Sequence, residues 1–415
     1  MSDPTVRGVT FGASSYKTSY TVTLPTGCAA GDYATVYTEG SSAGVSTNGT
    51  VAWTNEAASG TQTVWTKDLE AADITAATIT VTYSGGQSYT TLKVEAAPAA
   101  LGPHPDPFGM AGFTRPFTND YFGTISSDPK IDPNSSSLVT HLLNQFSRSN
   151  SPNNCPTINY YQFTPPRYVV DSSNTTLYPT TNVTVTGAGG HGATFVEPVP
   201  LPAVMGLDNS SDSSMVVWDT YTGTVWEFWK FAVGTPTGYT QNPYSATTCA
   251  KTSTLTGNGL FTRSGNYNTD MASGISFLGT QINIHEVMEG EIKHALSMAL
   301  PYTKAGAVPP APYSDGGSSD TDALQEGLRF FFPSSVVMPS GLQPFAQIVF
   351  RAIQKYGVFI GDTSGTAAIY AENQASWQAA GLPSPYTALF SGGTHGYDIL
   401  KNLPWSQLQV LASTF

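Results

Sequence analysis

The stretch MVVWDTYTGTVWEFWKF, residues 215–231, predicts a β-hairpin. Two runs of β-branched and aromatic residues flank the letters DTYTG, in which Asp, Thr and Gly are typical of a turn. In the register that this turn sets, Val216 lies opposite Glu227 and Trp218 lies opposite Val225. Because side chains alternate along a strand, Glu227 then shares one apolar and aromatic face with these residues. The hairpin therefore places a carboxyl group on a hydrophobic surface.

Glu227 is a candidate functional residue because desolvation raises the pKa of a carboxyl group and makes it a general acid. It is equally suited to anchor a sugar hydroxyl among the candidate glycan-binding residues Trp218, Trp226 and Trp229. The alternatives are that Glu227 pairs with a buried arginine or that a bulge turns it to solvent. Asp219 begins the turn on the opposite face, so the two carboxyls match poorly the ~5 Å separation of a retaining glycosidase.

Outward from the hairpin, the chain is mainly β. The first part alternates short strands with turn signals such as NGT and SGG, which predicts an immunoglobulin-like β-sandwich over residues 1–97. Residues 98–112 are rich in Pro, Gly and Ala and predict a linker. Residues 113–415 predict a larger β-rich domain of the sandwich or jelly-roll type with a few helices, the clearest over residues 138–146 and 343–356.

The charge balance excludes several classes of partner. Lys and Arg number 17 against 29 Asp and Glu, a net charge of -12, so no basic face is expected for nucleic acid or an anionic membrane. No apolar run approaches the ~20 residues of a membrane span, and the first residues lack the pattern of a secretory signal. Only 11% of residues are charged while 12% are aromatic, a balance typical of proteins that bind neutral glycans and also of extracellular β proteins in general.

Cysteine usage predicts neither a disulfide framework nor a metal site. The three cysteines, Cys28, Cys155 and Cys249, are odd in number and lack the short paired spacing of zinc ligands. Cys155 and Cys249 are placed to pair or to stay free, and we expect Cys28 to be unpaired. We therefore expect no metal and no cofactor.

The segment INIHEVMEGEIKHALSMALP, residues 282–301, only superficially resembles HExxH. That zinc motif needs its histidines one helical turn apart, whereas Gly290 between His285 and His294 predicts the end of a short helix before a strand. No metallopeptidase is predicted. His294 is a candidate acid, base or sugar ligand near Glu227, or else a hydrogen-bonded structural residue.

Two further histidines lie in glycine-rich loops, His191 in GAGGHGA and His395 in SGGTHGYD. Neither loop has the spacing of a phosphate-binding loop with its lysine, and no GxSxG elbow occurs in the chain. Nucleotide hydrolysis and esterase chemistry are therefore not favoured. We expect both histidines to be exposed, and both are candidates for contact with a glycan or another partner.

Several motifs together suggest a family. TVTLPTGCAAGDYATVYTEGSS (21–42), followed by VWTKDLEAADITAATITVTYSGG (64–86), resembles a small β domain at the front of minor tail proteins of actinobacterial phages. VVWDTYTGTVWEFW (216–229), GEIKHALSMALP (290–301) and AIQKYGVFIGDTSGTAAIYAEN (352–373) resemble a larger domain shared by phage minor tail proteins and secreted bacterial proteins. The resemblance implies a sugar-binding or sugar-acting β-sandwich.

The resemblance also indicates which residues are catalytic candidates. The family pattern runs Asp, a Thr-Gly turn and an aromatic-Glu strand, then Ile-x-His-Ala-Leu, and then a helix ending Lys-Tyr-Gly before a strand and Asp. The residues at these positions, which are the catalytic candidates, are Asp219, Glu227, His294 and Asp362.

The function predicted on this basis is that of a phage virion structural protein, a minor tail or fibre-type appendage. The first domain would attach to the particle, and the larger domain would contact host-envelope glycan. The expected partners are other virion proteins and that glycan; a homo-oligomer is an open alternative, although the chain contains no coiled-coil heptads. The protein would be made in the host cytoplasm and located in the virion. The alternatives are a glycoside hydrolase acting on cell-wall polysaccharide and a decoration protein without a ligand.

Overall fold

The structure is a computed structural model in which two compact units, Met1–His104 and Pro105–Phe415, are distinguished. In the first unit it describes the backbone of six strands. In the second it describes residues 116–412 apart from 118–120, 149–152, 235–243, 380–383, 385, 387–389 and 391–394. The linker predicted over residues 98–112 lies outside the described residues, as does Cys28.

The six described strands of the first unit form one antiparallel sheet in the order β1-β6-β3-β5-β4, with β2 also paired to β6. The two long strands, β3 and β6, pair from Tyr33 opposite Glu95 to Ser46 opposite Thr80, and their register shifts between Glu39 and Gly44. Such shifts bend a sheet and strengthen its twist. The six strands are β1 (Val6–Ser14), β2 (Ser19–Thr23), β3 (Tyr33–Ser46), β4 (Thr54–Ser59), β5 (Gln62–Asp68) and β6 (Thr78–Glu95).

The described residues of the second unit form three sheets, in the orders β10-β9-β14-β13, β15-β12-β11-β8 and β20-β17-β18-β16-β19-β7. The prediction of a mainly β chain is confirmed. Its strands are β7 (Thr157–Asn159), β8 (Arg167–Val170), β9 (Thr180–Val185), β10 (Phe195–Pro200), β11 (Met215–Asp219), β12 (Thr224–Trp229), β13 (Ala232–Val233), β14 (Tyr244–Ala246), β15 (Thr248–Ser253), β16 (Leu296–Leu300), β17 (Arg329–Phe331), β18 (Val358–Thr363), β19 (Ala368–Tyr370) and β20 (Gln409–Val410).

All three of these sheets are mixed. Strands β8 and β11, β9 and β14, β16 and β18, and β7 and β19 form parallel pairs, whereas the remaining pairs are antiparallel. A parallel pair needs a long crossover connection rather than a tight hairpin. The local alternation of side chains does not reveal such pairing, so the sequence predicted the strands without their partners.

The described residues form five helices, and both predicted helices are present. In α4 the start at Pro344 and the left-handed Gly357 beyond its end (φ 80°) are typical helix boundaries. None of the described helices is long and apolar enough to cross a membrane. The helices are α1 (Ser135–Arg148), α2 (Phe277–Thr280), α3 (Ile284–Glu289), α4 (Pro344–Lys355) and α5 (Ala375–Ala379).

The hairpin β11–β12 has the predicted register, with Val216 opposite Glu227 and Trp218 opposite Val225. Both faces of the hairpin are covered. Val216 and Val225 belong to one buried cluster, whereas Phe228 and its neighbours on the other face belong to a second. A strand buried on both faces has a nearly continuous apolar sequence, which explains the composition of this segment.

Candidate functional site

Glu227 is completely buried and accepts hydrogen bonds from the N-terminus of α2. Its carboxylate accepts the backbone N–H groups of Phe277 at 3.0 Å and Leu278 at 2.9 Å, and the hydroxyl of Ser276 donates to it at 2.7 Å. Burial raises the pKa of Glu227 to about 7, and these three hydrogen bonds oppose the rise. Since both oxygens are engaged inside the protein, we do not place Glu227 in an open site.

The buried arginine considered as a partner for Glu227 exists, but it pairs elsewhere. Arg167 lies 3.2 Å from Glu372, and both side chains are fully shielded from solvent. Glu372 also accepts the backbone N–H of Ile284, at the start of α3. Glu372 therefore connects β8, through the ion pair, with the start of α3, through the hydrogen bond from Ile284.

Asp219 is a turn residue, as its position at the start of the hairpin loop suggests. Its carboxylate accepts the backbone N–H and the hydroxyl of Ser172 at 3.0 and 2.7 Å. It also accepts the N–H of Tyr221 and the hydroxyl of Thr222, at 3.2 and 2.6 Å. Asp219 is only 1% exposed, so these contacts hold the loop and leave no carboxylate facing solvent.

His294 is fully buried and forms an ion pair with Glu286 of α3, with 2.8 Å between Nε2 and Oε2. Its Nδ1 lies 2.8 Å from the carbonyl oxygen of Ala295. Burial raises the pKa of Glu286, but the charge of His294 and its hydrogen bonds outweigh that effect and lower it. Gly290 ends α3 in a left-handed conformation, as predicted, and β16 follows. His294 thus packs this connection against the core.

The tryptophans of the hairpin occupy different environments. Trp226 is 5% exposed and donates its indole N–H to Glu197 at 2.7 Å. The Glu197 carboxylate also accepts hydrogen bonds from the Lys251 ammonium at 2.6 Å and from the Tyr267 hydroxyl at 2.7 Å. Trp226 is therefore part of an internal polar network. Trp218 is half-buried, and its indole N–H has no hydrogen-bond partner within the described part of the chain.

Trp229 and His191 are brought together, as two of the predicted glycan-binding residues. Their ring centroids lie 5.1 Å apart in an edge-to-face arrangement. The Lys230 ammonium lies 4.3 Å from the centroid of the Trp229 ring, and the indole N–H donates to Asp212 at 3.3 Å. The half-buried Trp229 is thus already in contact with a cation, an aromatic ring and a carboxylate of its own chain.

His395 lies in an aromatic surface that we define as Tyr161, Phe163, His395 and Tyr397. Tyr161, Phe163 and Tyr397 are 51%, 47% and 46% exposed, and His395 stacks on Tyr397 with ring centroids 5.0 Å apart. Tyr160 connects the two segments. Its ring lies 5.0 Å from that of Tyr161, and a Cβ added to Gly396 would lie 3.0 Å from it.

Asp362, one of the predicted catalytic candidates, belongs to a cluster of acidic residues whose other members were not predicted as site residues. Backbone hydrogen bonds hold together the chain segments that carry the cluster. The N–H of Ser273 donates to Gly361 and the N–H of Tyr313 donates to Ser273, both at 3.2 Å, and the N–H of Gly327 donates to Ile360 at 2.8 Å. These bonds connect β18 with the loops before and after β16. The acidic cluster consists of Asp270, Asp315, Glu326 and Asp362.

The carboxyl groups of the acidic cluster differ in exposure and in partners. Asp315 is exposed and accepts the hydroxyl of Thr363 at 2.6 Å. Asp362 is half-buried and accepts the backbone N–H of Thr363 at 2.9 Å. Asp270, also half-buried, accepts the hydroxyl of Ser214 at 2.9 Å. The cluster therefore joins solvent-facing and shielded carboxyl groups.

Crowding and burial favour the protonated forms in the acidic cluster. Burial, followed by hydrogen bonding and repulsion from Asp315, raises the pKa of Glu326 to about 9. Burial and then the charge of Asp315 raise the pKa of Asp362 well above its usual range. For Asp270, burial and then the charge of Glu227 have the same effect. Glu326, Asp362 and Asp270 therefore favour their protonated forms, the state in which a carboxyl group can act as a general acid.

The other features that could form a site offer fewer groups able to take part in a reaction. Within the described residues no group of three His, Cys, Asp or Glu side chains is arranged to hold a metal ion. Cys155 and Cys249 are both buried and free. A groove of about 380 Å³ lies between residues 124–130 and 309–310, and none of the predicted site residues lines it. Its Arg329 guanidinium donates to backbone carbonyls of Tyr121, Gly123 and Tyr356.

Sequence reasoning identified Asp362, but it missed Asp315, Glu326 and Asp270. These three lie in loops between strands, in stretches without helical or strand periodicity. It also missed Tyr161, Phe163 and Tyr397. The segment NYYQF (159–163) is dense in aromatic residues and is the one local signal that would have pointed to the aromatic surface.

Comparison with known proteins gives no relative: no family model, no curated protein and no solved structure matches the chain.

Proposed function

We propose that the chain is a structural appendage protein of a phage particle and that its second unit contacts host-envelope glycan through the aromatic surface. One observation carries the glycan part of this proposal. Among the described residues, three of the four exposed tyrosine and phenylalanine side chains lie around Tyr160, the fourth being Tyr221 on the hairpin turn. Exposed aromatic groups concentrated at one place mark a binding site rather than scattered surface.

The chemistry of the aromatic surface suits a neutral sugar. Aromatic rings offer an apolar face that stacks on the C–H groups of a pyranose, while polar edges bind its hydroxyl groups. Here His395 supplies ring nitrogens beside Tyr397, and Asn153 donates to the carbonyl oxygen of Tyr397 at 3.2 Å. The chain as a whole has few charged residues, which fits an uncharged ligand better than an anion.

The backbone beneath the aromatic surface is held by hydrogen bonds. The N–H of Ile158 donates to Gly396 at 2.6 Å, and the side chain of Asn159 donates to the carbonyl oxygen of Phe163 at 3.4 Å. Because the backbone that carries the rings is held before the ligand arrives, less backbone entropy is lost on binding. This preorganisation supports a binding role.

The particle part of the proposal rests on the motifs over residues 21–42, 64–86, 216–229, 290–301 and 352–373, which resemble those of phage minor tail proteins. Antibodies against the second unit are expected to label purified particles of the phage that encodes the chain. If the chain is missing from the proteins of those particles, the virion role is wrong.

The glycan part is tested by binding of the full chain to polysaccharide purified from the host envelope, measured by isothermal titration calorimetry. Tyr397→Ala is expected to weaken binding about fivefold or more, since a stacked ring contributes about 1 kcal/mol. Tyr221→Ala is the matched control, because it removes an exposed tyrosine, 68% exposed against 46% for Tyr397, from the hairpin turn. Equal binding by wild type and Tyr397→Ala would show that the aromatic surface is not the glycan site.

A further inference from the structure

A serine, a histidine and an aspartate on and beside α1 contact one another in series. The Oγ of Ser137 lies 3.2 Å from Nε2 of His141, and Nδ1 of His141 lies 2.8 Å from Oδ1 of Asp322. Ser137 and His141 are four residues apart on α1 and therefore share one face of the helix. Asp322 comes from the connection between β16 and β17. Both distances suit a nucleophile with its base and a base with the group that orients it.

The carboxylate of Asp322 determines which nitrogen of His141 carries the proton. Hydrogen bonds from His141 and then from Asn144 lower the pKa of Asp322, so its side chain is an anion that only accepts hydrogen bonds. The Nδ1 of His141 must therefore donate to Asp322, which leaves the lone pair of Nε2 facing the Ser137 hydroxyl. The second oxygen of Asp322 pairs with Arg148 at 2.8 Å and takes no part in the contact with His141.

Ser137 differs from two other hydroxyl residues of α1. The hydroxyls of Thr140 and Ser147 donate to backbone carbonyl oxygens of the preceding turn at 2.9 and 2.8 Å, the usual hydrogen bond of a hydroxyl within a helix. The hydroxyl of Ser137 lies against a ring nitrogen instead. Ser137 is exposed, whereas the side chains of His141 and Asp322 are 33% and 13% exposed. The nucleophile is thus open to solvent, while the group that orients its base is shielded.

The start of α1 supplies donors for a developing oxyanion. Ser136 and Ser137 lie in the first turn, where backbone N–H groups have no partner within the helix. The N-terminus of this 14-residue helix also carries a partial positive charge. N–H groups fixed in this way stabilise the oxygen that gains charge during acyl transfer. Because Ser137 carries both the nucleophile and one of these N–H groups, the tetrahedral intermediate would form beside the donors.

We propose that Ser137 and His141 are the nucleophile and the general acid–base of a site that hydrolyses carboxylic esters, with Asp322 as the positioning residue. The Oγ of Ser137 bonds to the ester carbonyl carbon while Nε2 of His141 takes the hydroxyl proton. The bond from that carbon to the alcohol oxygen then breaks, and the alcohol leaves with the proton from His141. Water attacks the acyl-serine and gives a proton to His141, which returns it to Ser137 as the carboxylic acid is released. One water is consumed.

The exposure of Ser137 indicates the class of ester. A nucleophile on the open face of a helix reaches a short acyl group, whereas a long acyl chain needs a concave apolar pocket to bind it. The lack of a GxSxG elbow, which counted against an esterase in the sequence, does not bear on a serine carried within a helix, because such triads are defined by geometry. The triad shares no residue with the aromatic surface, so ester hydrolysis and glycan binding can be judged apart.

The first test is covalent labelling of the full chain with a fluorophosphonate, which reacts with activated serine hydroxyls, followed by peptide mass spectrometry. We expect the adduct on Ser137 and expect it to be lost in Ser137→Ala and in His141→Ala. Ser147→Ala is the matched control, because it removes an exposed serine from the same helix and should be labelled as wild type is. Wild type without an adduct on Ser137, or equal labelling of His141→Ala, would overturn the proposal.

The second test measures release of p-nitrophenol from p-nitrophenyl acetate and p-nitrophenyl palmitate. Ser137→Ala and His141→Ala are each expected to lower kcat/KM for the acetate at least about 100-fold, whereas Ser147→Ala should keep the wild-type value. Circular dichroism and melting temperatures establish that all variants are folded. Wild type that hydrolyses neither ester, or only the palmitate, would contradict the proposal and leave the proposed glycan binding standing.

Two further variants separate the positioning role of Asp322 from attachment of α1 to its loop. Asp322→Asn and Arg148→Ala both remove the ion pair between these residues, but only Asp322→Asn removes the charge beside His141. Asp322→Asn is therefore expected to lower kcat at least about 100-fold with KM little changed. Arg148→Ala is expected to lower kcat less than about fivefold. Equal losses in the two variants would show that Asp322 only attaches the helix.

Discussion

The carboxylate of Glu227 on β12 accepts the backbone N–H of Leu278 at 2.9 Å, across 51 residues of sequence. This contact joins the central hairpin to the first turn of α2, where the N–H groups of a helix have no partner within the helix. The hydroxyl of Ser276 reinforces the contact by donating to the same carboxylate oxygen. A carboxylate that looked catalytic in the sequence thus acts as the acceptor that holds two elements together.

Glu227→Ala is expected to destabilise the second unit by about 2–4 kcal/mol, because it leaves two buried N–H groups and one hydroxyl without their acceptor. Denaturant unfolding followed by tryptophan fluorescence measures this change. Glu291→Ala is the matched control: Glu291 is 52% exposed and lies 3.2 Å from Lys355, so its loss should cost less than about 1 kcal/mol. Equal effects of the two substitutions would contradict the role assigned to Glu227.

The pH dependence of stability follows from the raised pKa of Glu227, which is about 7 in the fold against about 4.5 when unfolded. Since the folded state binds this proton more tightly, the stabilisation is complete below pH 4.5 and is lost as the pH rises through 7. The full change is about 3 kcal/mol.

Glu227→Gln carries no titrating proton, so unfolding free energies of this variant and wild type should converge or cross as the pH is raised from 5 to 8. Measuring both proteins in the same buffers cancels the titration of the other acidic residues. Curves that run parallel over this range would show that Glu227 does not titrate there.

The buried pair of His294 and Glu286 is expected to be strongly coupled. His294→Ala and Glu286→Ala should each destabilise the second unit by about 3–5 kcal/mol, because each leaves one buried polar partner unpaired. The double substitution should cost clearly less than the two single losses together. Additive losses in this double-mutant cycle would mean that the 2.8 Å contact contributes nothing.

Cys155 and Cys249 are expected to behave as buried free thiols. In a Cys28→Ser background they should not react with a thiol reagent in the folded protein, because both are fully buried and burial raises the pKa of Cys249 well above its usual range. Two thiols per chain should react once the protein is unfolded without a reductant. No reactive thiol under those conditions would indicate a disulfide.

The hairpin shows which features the local sequence can predict. Its turn residues and the alternation of side chains predicted that Val216 lies opposite Glu227, and the structure has that register. The alternatives offered for Glu227 were a general acid, an arginine partner or a solvent-facing bulge, and its actual partners are the N–H groups of α2. Those groups come from a segment far along the chain, and strand periodicity carries no information about what packs on a face.

The two candidate sites illustrate the same limit. Asp362 was singled out by its motif, whereas Asp315 and Glu326 lie in the irregular connection between β16 and β17, where no period exists to interpret. The aromatic surface combines Tyr161 with Tyr397, which are distant in sequence and are brought together where Tyr160 packs against Gly396.

The sequence by itself determined that the chain is mainly β, that residues 215–231 form a hairpin and that helices end at Gly290 and before Gly357. These features depend on neighbours a few residues apart, through side-chain alternation and the backbone freedom of glycine. Only the tertiary structure decided which carboxyl groups are buried and which ones meet. Solvation and charge proximity control ionisation, and both are properties of the packed chain rather than of any segment.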